Sequence, residues 1–555
     1  MPELRDQSGL RVNVEPYGPD ETVVARAASE LRQHKVVREH LKNGYRLMSF
    51  RLIDEDAKEV EGVPEPSRRF VAKLFEYKNN RALVVSGSLD DLGGAVAVPS
   101  GSGGPMTLGE FEVAADRVLA DRGLRRAIAE DRAFDQVPAE RAPGDAEPDE
   151  SVEVPVPTAY QPMPPLVDLE LADGTTQRVI PVGLYTPARD IVHRVVGVNL
   201  HTNELVFHIP GHEFSPRNDC GAPVGDQSCE TGTAGQIRLK VLYGGATVWD
   251  MVVVRPAATG LPLSTNGTGV ELRYVDYKGK RVLYRGQVPI LNVRYAAGGC
   301  APSYRDWETS EACFQAAGTD IIPGFRLCSS PATTIVDTGV DGGNFRGVAI
   351  YVDGLEVVLV SVLMAGWYRY ESQWRFHVDG TIRPRFGFAA TSSPCTCFDH
   401  AHHAYWRLDF DIETPSNNVV KEYNNPPIIP GTHLHTKHFE IRRLRSAAHN
   451  RHWEVSNHAS GAGYRLIPGP NDGFADAFGV GDLWVLRYHA TEIDDGQGFT
   501  TTPALAMEHI DRFINGESVY RQDVVLWYVG HFTHGVGAAV GGHRVGPDLE
   551  PFNWP

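Results

Sequence analysis

The stretch that decides the reading runs Cys395-Thr-Cys-Phe-Asp-His400-Ala-His402-His403-Ala-Tyr-Trp-Arg407-Leu-Asp409-Phe-Asp411. From His400 onward it reads as a strand by its alternation. Side chains at i and i+2 of a strand leave the same face. His400 and His402 therefore share a face and can reach one ion, while His403 points away from it. Imidazole suits copper, zinc, iron or nickel, and at least one further ligand must come from elsewhere in the chain. A lone His-x-His pair also fits plain strand histidines, so its company further along the chain decides its meaning.

The surroundings are those of a β protein. From about Leu166 onward, short alternating apolar runs recur between Gly, Pro, Asn and Asp, at residues 236–242, 270–275, 357–363, 374–377 and 484–488. Convincing helices are scarce there, which predicts a large antiparallel β-sandwich. Earlier, residues 20–43 carry helical periodicity, strand-like runs follow at 45–53, 69–77 and 81–86, and a second amphipathic helix covers 107–132. Thr107-Leu-Gly-Glu110 opens that helix as a capping box. The fold class is thus mainly β, with residues 1–135 a small α+β domain and 166–555 the sandwich. Residues 136–165, rich in Pro, Glu, Asp and Ala, read as a linker.

The chain has 555 residues, 42% hydrophobic and 22% charged, with a net charge of −17. That length accommodates two to four domains. The negative balance argues against binding a nucleic-acid backbone. No apolar run is long enough to span a membrane. Met1-Pro-Glu-Leu-Arg-Asp-Gln7 has no apolar signal core, so the default expectation is a cytoplasmic protein, with secretion by another route left open. Cys220 with Cys229, and Cys313 with Cys328, flank short loops and can each close a disulfide, but sequence does not fix the pairing. Asn266-Gly-Thr is a glycosylation sequon that reads as chance without a secretory signal.

Near the C-terminus stands Asp523-Val-Val-Leu-Trp527-Tyr-Val-Gly-His-Phe-Thr533-His534. Together with the His400 stretch it resembles the copper amine oxidases. That family pairs a His-x-His and a following Arg-Leu-Asp-x-Asp with a later Thr-His, eleven residues after an aspartate. His400, His402 and His534 match the three copper ligands, Arg407-Leu-Asp409-Phe-Asp411 the continuation, and Asp523 the aspartate. Asp482-Leu-Trp-Val-Leu-Arg-Tyr-His489, Gly463-Tyr-Arg-Leu-Ile-Pro-Gly469, Val282-Leu-Tyr-Arg285 and Pro551-Phe-Asn-Trp554 resemble further family segments, so the match covers about 245–555. The first 135 residues resemble one of the family's small α+β modules.

The resemblance implies a homodimeric oxidase that converts a primary amine, dioxygen and water to aldehyde, ammonia and peroxide. Its organic cofactor, topaquinone, is made from a tyrosine of the chain. Within Gly366-Trp367-Tyr368-Arg369-Tyr370 the register of Trp374, Phe376 and Asp379-Gly380 gives Tyr368 the precursor position. Two neighbours depart from the family: Trp367 stands for Asn and Arg369 for an acid. Tyr295 matches the tyrosine that hydrogen-bonds the quinone. The family's base spacing is not kept, which leaves Asp306, Glu308, Glu311 and Asp337 as candidates. Asp409, Phe410, Asp411, Asp523 and Val524 match a peripheral calcium-like site. Arg369 would bring charge to the site unless it turns away or pairs with an acid such as Glu371. Rival ligand sets are His433, His435 and His438, and Cys395 with Cys397. The altered neighbours of Tyr368 leave two alternatives: a copper enzyme of the same fold without the quinone, acting on another substrate, and a non-catalytic copper-binding relative.

Overall fold

Period-two alternation commits the chain to strands, and in the computed structural model these stack as two large sheets. The structure describes all residues except 1–2, 6–8, 43, 54–57, 101–102, 104–105, 130–156, 163–167, 171–173, 186–193, 208–219, 230–234, 260–265, 296–302, 496–509 and 536–542. Most of the predicted linker lies outside the described residues. Among them, one sheet has 11 strands and the other 12. At the heart of the first, Lys280–Tyr295, His400–Phe410 and Val524–His534 run side by side, each antiparallel to the next. At the heart of the second, Glu356–Ala365, Tyr368–His377 and Ile382–Ala390 do the same. The inner faces meet in a core that includes Trp249, Trp374, Trp406, Trp453, Leu408 and Leu526, all buried. The mainly antiparallel sandwich expected from the alternation is thus present.

The boundaries of the small domains differ from the expectation. A four-stranded sheet, Tyr45–Leu52 to Asp91–Ser100, packs around Leu31, Phe70, Leu74 and Val85. The helix Leu108–Leu119, expected to close this same domain, instead packs on the later strands Thr176–Tyr185 and Arg194–Asn199. Its Ala114 and Val118 share a core with Ile180, Val182, Val196 and Val198. The predicted capping box is present, with Thr107 N–H donating to Glu110 at 2.9 Å. The same Glu110 takes two bonds from buried Arg178, at 2.7 and 2.8 Å, which ties the helix to that second sheet. At the other end, Arg11–Pro16 pairs with Gln236–Tyr243 and so belongs to the sandwich. Local periodicity located these elements, while long-range pairing decided which core each joined.

The disulfides do not close the two short loops within which the sequence allowed them. Cys220 bonds Cys397 and Cys229 bonds Cys313, while Cys328 is a buried free thiol. Both bonds hold residues 220–229 onto the sandwich, where Ala222 bridges to Thr391. Asn266 is buried, so its sequon is closed to a glycosyltransferase in the folded chain. No helix among the described residues is long and apolar enough to cross a membrane.

Candidate metal centre

Register builds the site. His400 lies directly opposite His534 on one side and opposite Tyr295 on the other, so three adjacent strands place these side chains in one row. His402 follows on the same face as His400. The nitrogens of His400, His402 and His534 all lie within 4.8 Å of one another.

The second shell fixes which nitrogen each ring presents. His400 Nδ1 lies 2.7 Å from the Phe398 carbonyl, which only accepts, so Nδ1 carries the proton and Nε2 the lone pair. The Tyr370 hydroxyl donates to Asp306 and therefore accepts from His402 Nδ1, 3.2 Å away. His402 Nε2 is again left with its lone pair. Both Nε2 atoms are buried and without a hydrogen-bond partner. Burial, reinforced by the neighbouring His534, pushes the His400 imidazole down to about 4, and His402 well below the usual range. Neutral, converging imidazole lone pairs are what a borderline metal such as copper takes. The donor set therefore fits the ion that the resemblance implies.

Tyr368 and Tyr370 come from the facing sheet. Glycine at 366, with φ of 59°, makes the tight turn of the hairpin, and Tyr368 is the first residue of the returning strand. The i, i+2 rule that pairs His400 with His402 also pairs Tyr368 with Tyr370 toward the metal side. The Tyr368 ring lies 4.8 Å from that of His402 and 5.4 Å from that of His400, centroid to centroid. Its hydroxyl hydrogen-bonds that of Tyr295. Burial, with Tyr295 close by, raises the Tyr368 phenol well above its usual range.

Of the candidate bases, Asp306 alone is seen in contact with this group. It accepts from Tyr370 through Oδ2, while buried Oδ1 has no partner. Burial pushes its carboxyl well above the usual range. Glu308, also buried, is pushed the same way by burial and then by Asp306. Glu311 is committed elsewhere, to the Arg255 guanidinium at 3.0 Å and the Ala257 amide at 3.1 Å. Asp337 caps its own short helix through Thr334 and pairs with Arg544. Neither of these two is joined to Tyr368 or the histidines.

Three alternatives left open by the sequence are resolved. Arg369 pairs with Asp341, at 2.8 and 3.1 Å, and not with Glu371, which bonds Arg544 and Thr334. Strand alternation sends Arg369 to the face opposite Tyr368, so its charge does not enter the site. Cys397 is in a disulfide and is no thiolate ligand, and the side chain of Cys395 lies outside the described residues. His433 is spent on the Asn424 carbonyl and His438 stacks on Tyr520, so the rival histidines form no cluster.

The acids of the expected calcium-like site do converge, since Asp409, Asp411 and Asp523 offer oxygens within 4.8 Å of each other. The cation among them is Lys58, whose Nζ is 2.7 Å from Asp409, 2.8 Å from Asp523 and 3.1 Å from Asp411. Nothing in the local sequence of Lys58 signalled this role. For Tyr370 the signal was its spacing from Tyr368, which puts both on one strand face.

Compared with solved structures, the chain is similar over 97% of its length to a copper-containing benzylamine oxidase from Hansenula polymorpha, with TM-score 0.61, 14% identity and 98% of that chain covered. The fold is that of the copper amine oxidases. An amine oxidase from Aspergillus nidulans (TM-score 0.55, 14% identity, 97% of this chain and 88% of that) and the lysyl oxidase of Pichia pastoris (TM-score 0.52, 11% identity, 97% and 91%) are similar as well. No family model matches the sequence, and comparison with curated proteins gives no match. Identity this low carries the fold, and the motif matches carry the resemblance at the site.

Because three ligands define the geometry, His400→Ala, His402→Ala or His534→Ala should each abolish stoichiometric copper binding, as read by metal analysis after dialysis. His433→Ala and His435→Ala should retain it. Full copper in all three of the first set would remove the assignment.

Proposed function

We propose that this protein is a copper-dependent oxidase of primary amines that uses a quinone made from Tyr368. The observation that carries the reading is the contact of the Tyr368 ring with two imidazoles whose lone pairs are left facing the site. Bound there, copper would supply the redox chemistry with dioxygen that oxidises a phenol, and the resulting quinone carbonyl would be the electrophile for an amine. The chain's own residues do the rest. Tyr295 holds the oxygen of Tyr368. Tyr370 orients His402 and reports to Asp306. Asp306, through its unpartnered oxygen, takes the proton from the carbon next to the amine nitrogen. Its burial keeps it protonated until the pH rises well past the usual carboxylate range, so a base in this position acts more strongly at higher pH.

A second reading, a copper enzyme of this fold that leaves Tyr368 as tyrosine, draws on one observation. The Trp367 indole packs edge-on against Tyr368 at 6.0 Å, in the place where the family has a small amide. With the Tyr295 bond, this packing holds the phenol where it stands. The disulfides Cys220–Cys397 and Cys229–Cys313 support an oxidising compartment in place of the cytoplasmic default. A homodimer is supported by the exposed apolar residues Ile428, Ile429, Leu434, Phe439 and Leu444, which gather within twenty residues of chain.

Several measurements test these proposals. After aerobic copper loading, the Tyr368 peptide should gain mass, and visible absorption should shift with phenylhydrazine. Both should vanish in Tyr368→Phe. An unmodified Tyr368 would discard the quinone reading and leave the second. Asp306→Asn should lower amine-dependent peroxide release by about 100-fold or more. The same variant should not lose thermal stability at neutral pH. A carboxyl whose folded pKa lies above its unfolded value takes up a proton on folding, so its contribution to stability falls as pH rises from the unfolded value through the folded one. The amide removes that dependence, and a lower Tm than wild type at pH 7–8 would count against a protonated Asp306. Light scattering at micromolar concentration should give a dimer mass, and a monomer would refute the assembly.

A further inference from the structure

We propose that Asp409, Asp411 and Asp523 form a cation seat that the chain fills with its own Lys58 ammonium, so that no divalent ion binds there in the folded protein and the small N-terminal domain is latched to the strands that carry the metal ligands. The proposal does not rest on the redox reading.

The seat is built on three sides. Asp409 and Asp411 close the far end of the strand that begins at His400, and Asp523 directly precedes the strand that ends at His534. Lys58 arrives from the connection between Tyr45–Leu52 and Arg69–Glu76 in the four-stranded sheet. Its ammonium hydrogen-bonds Asp409 at 2.7 Å and both oxygens of Asp523 at 2.8 and 2.9 Å. It also stands over the Tyr488 ring at 3.6 Å and that of Tyr284 at 4.9 Å. The side chain is 6% exposed.

This environment suits an ammonium better than calcium. An ammonium has three donors and is satisfied by three or four carboxylate oxygens, with aromatic faces around it. Calcium needs roughly six to eight oxygens, and ring faces supply none. Arg407 adds a second positive charge, 3.3 Å from Asp409. Two cations against three carboxylates leave one negative charge in excess. Burial, helped by the neighbouring carboxylates, accordingly pushes Asp411 up, and Asp523 to about 7.

The geometry also makes a latch. Without Lys58, buried Asp409 and Asp411 and part-buried Asp523 are left with Arg407 as the cation beside them, and a buried charge that loses its partner is strongly destabilising. The loss would fall at the ends of the two strands whose pairing sets the histidine row. Lys58 lies in a connection of a four-stranded sheet that has its own core. Its side chain therefore helps to join that domain to the sandwich, beside the Arg51 guanidinium on the Ala257 carbonyl and the Gly62 carbonyl that accepts from Arg281 at 2.7 Å.

The full chain and its Lys58→Ala variant, both copper-loaded, can be compared by thermal unfolding in EDTA and in millimolar calcium, and by terbium luminescence excited through the nearby tyrosines. Wild type should unfold at the same temperature in both buffers and give no sensitised terbium emission. Lys58→Ala should unfold on the order of 5 °C lower in EDTA. Calcium should restore part of that loss, and terbium should light up at one ion per chain. Lys58→Met, which keeps length and loses charge, should share the loss with little rescue. Stoichiometric terbium or calcium on wild type, removed by Asp411→Asn, would overturn the proposal even if no Lys58 variant folds. A Lys58→Ala variant with wild-type stability in EDTA would overturn it as well.

Discussion

The pairing of His400–Phe410 with Val524–His534 is the constraint on which the rest depends. In this register His400 faces His534, and the neighbouring strand sets Tyr295 opposite His400. A slip of one residue would turn the row over, because strand side chains alternate with a period of two. His403 and His531 show what the other face holds. They meet each other at 2.8 Å, and His531 reaches Asp482 at 3.1 Å, on the side away from the metal ligands. Consecutive histidines thus take opposite roles through strand geometry alone. The register is secured by burial on both faces, since nearly every residue of the two strands is buried.

Burial then sets the chemistry. With water excluded, His400 and His402 stay neutral, and two hydrogen bonds to Nδ1 choose which lone pair remains for a metal. The same exclusion pushes Asp306, Tyr370 and Tyr368 towards their uncharged forms. Asp306, Tyr370 and His402 form one hydrogen-bonded line from carboxyl to imidazole, so a change of charge at the carboxyl is felt at the metal position. A buried polar line of this kind holds its geometry only when its members are satisfied, and in this line the exception is Oδ1 of Asp306, buried without a partner.

The two departures beside Tyr368 have different weights. Arg369 looked disruptive in sequence, yet alternation turns it to the far face, where Asp341 neutralises it. Trp367 stays next to the phenol and changes the volume around it. The substitution that alters charge is therefore absorbed, and the one that alters shape is not. Residues 220–229, held by both disulfides, reinforce that side of the site. The Gly225 amide donates to the same Asp341, and Thr391 N–H donates to the Trp367 carbonyl.

What the sequence determined by itself was periodic or local. Alternation announced the sandwich, Thr107 and Glu110 announced a helix start, and the spacing of His400 and His402 announced a shared face, because strand and helix geometry act over a few residues. What the tertiary structure decided was long-range. It brought Asp306, and neither Glu311 nor Asp337, into hydrogen-bond contact with Tyr370, paired Cys220 with Cys397 and Cys229 with Cys313, gave the helix Leu108–Leu119 to a later sheet, and set Lys58 among acids more than 350 residues away. No local pattern encodes such meetings. They follow from which faces must be buried together, and from the cost of leaving a buried charge without its opposite.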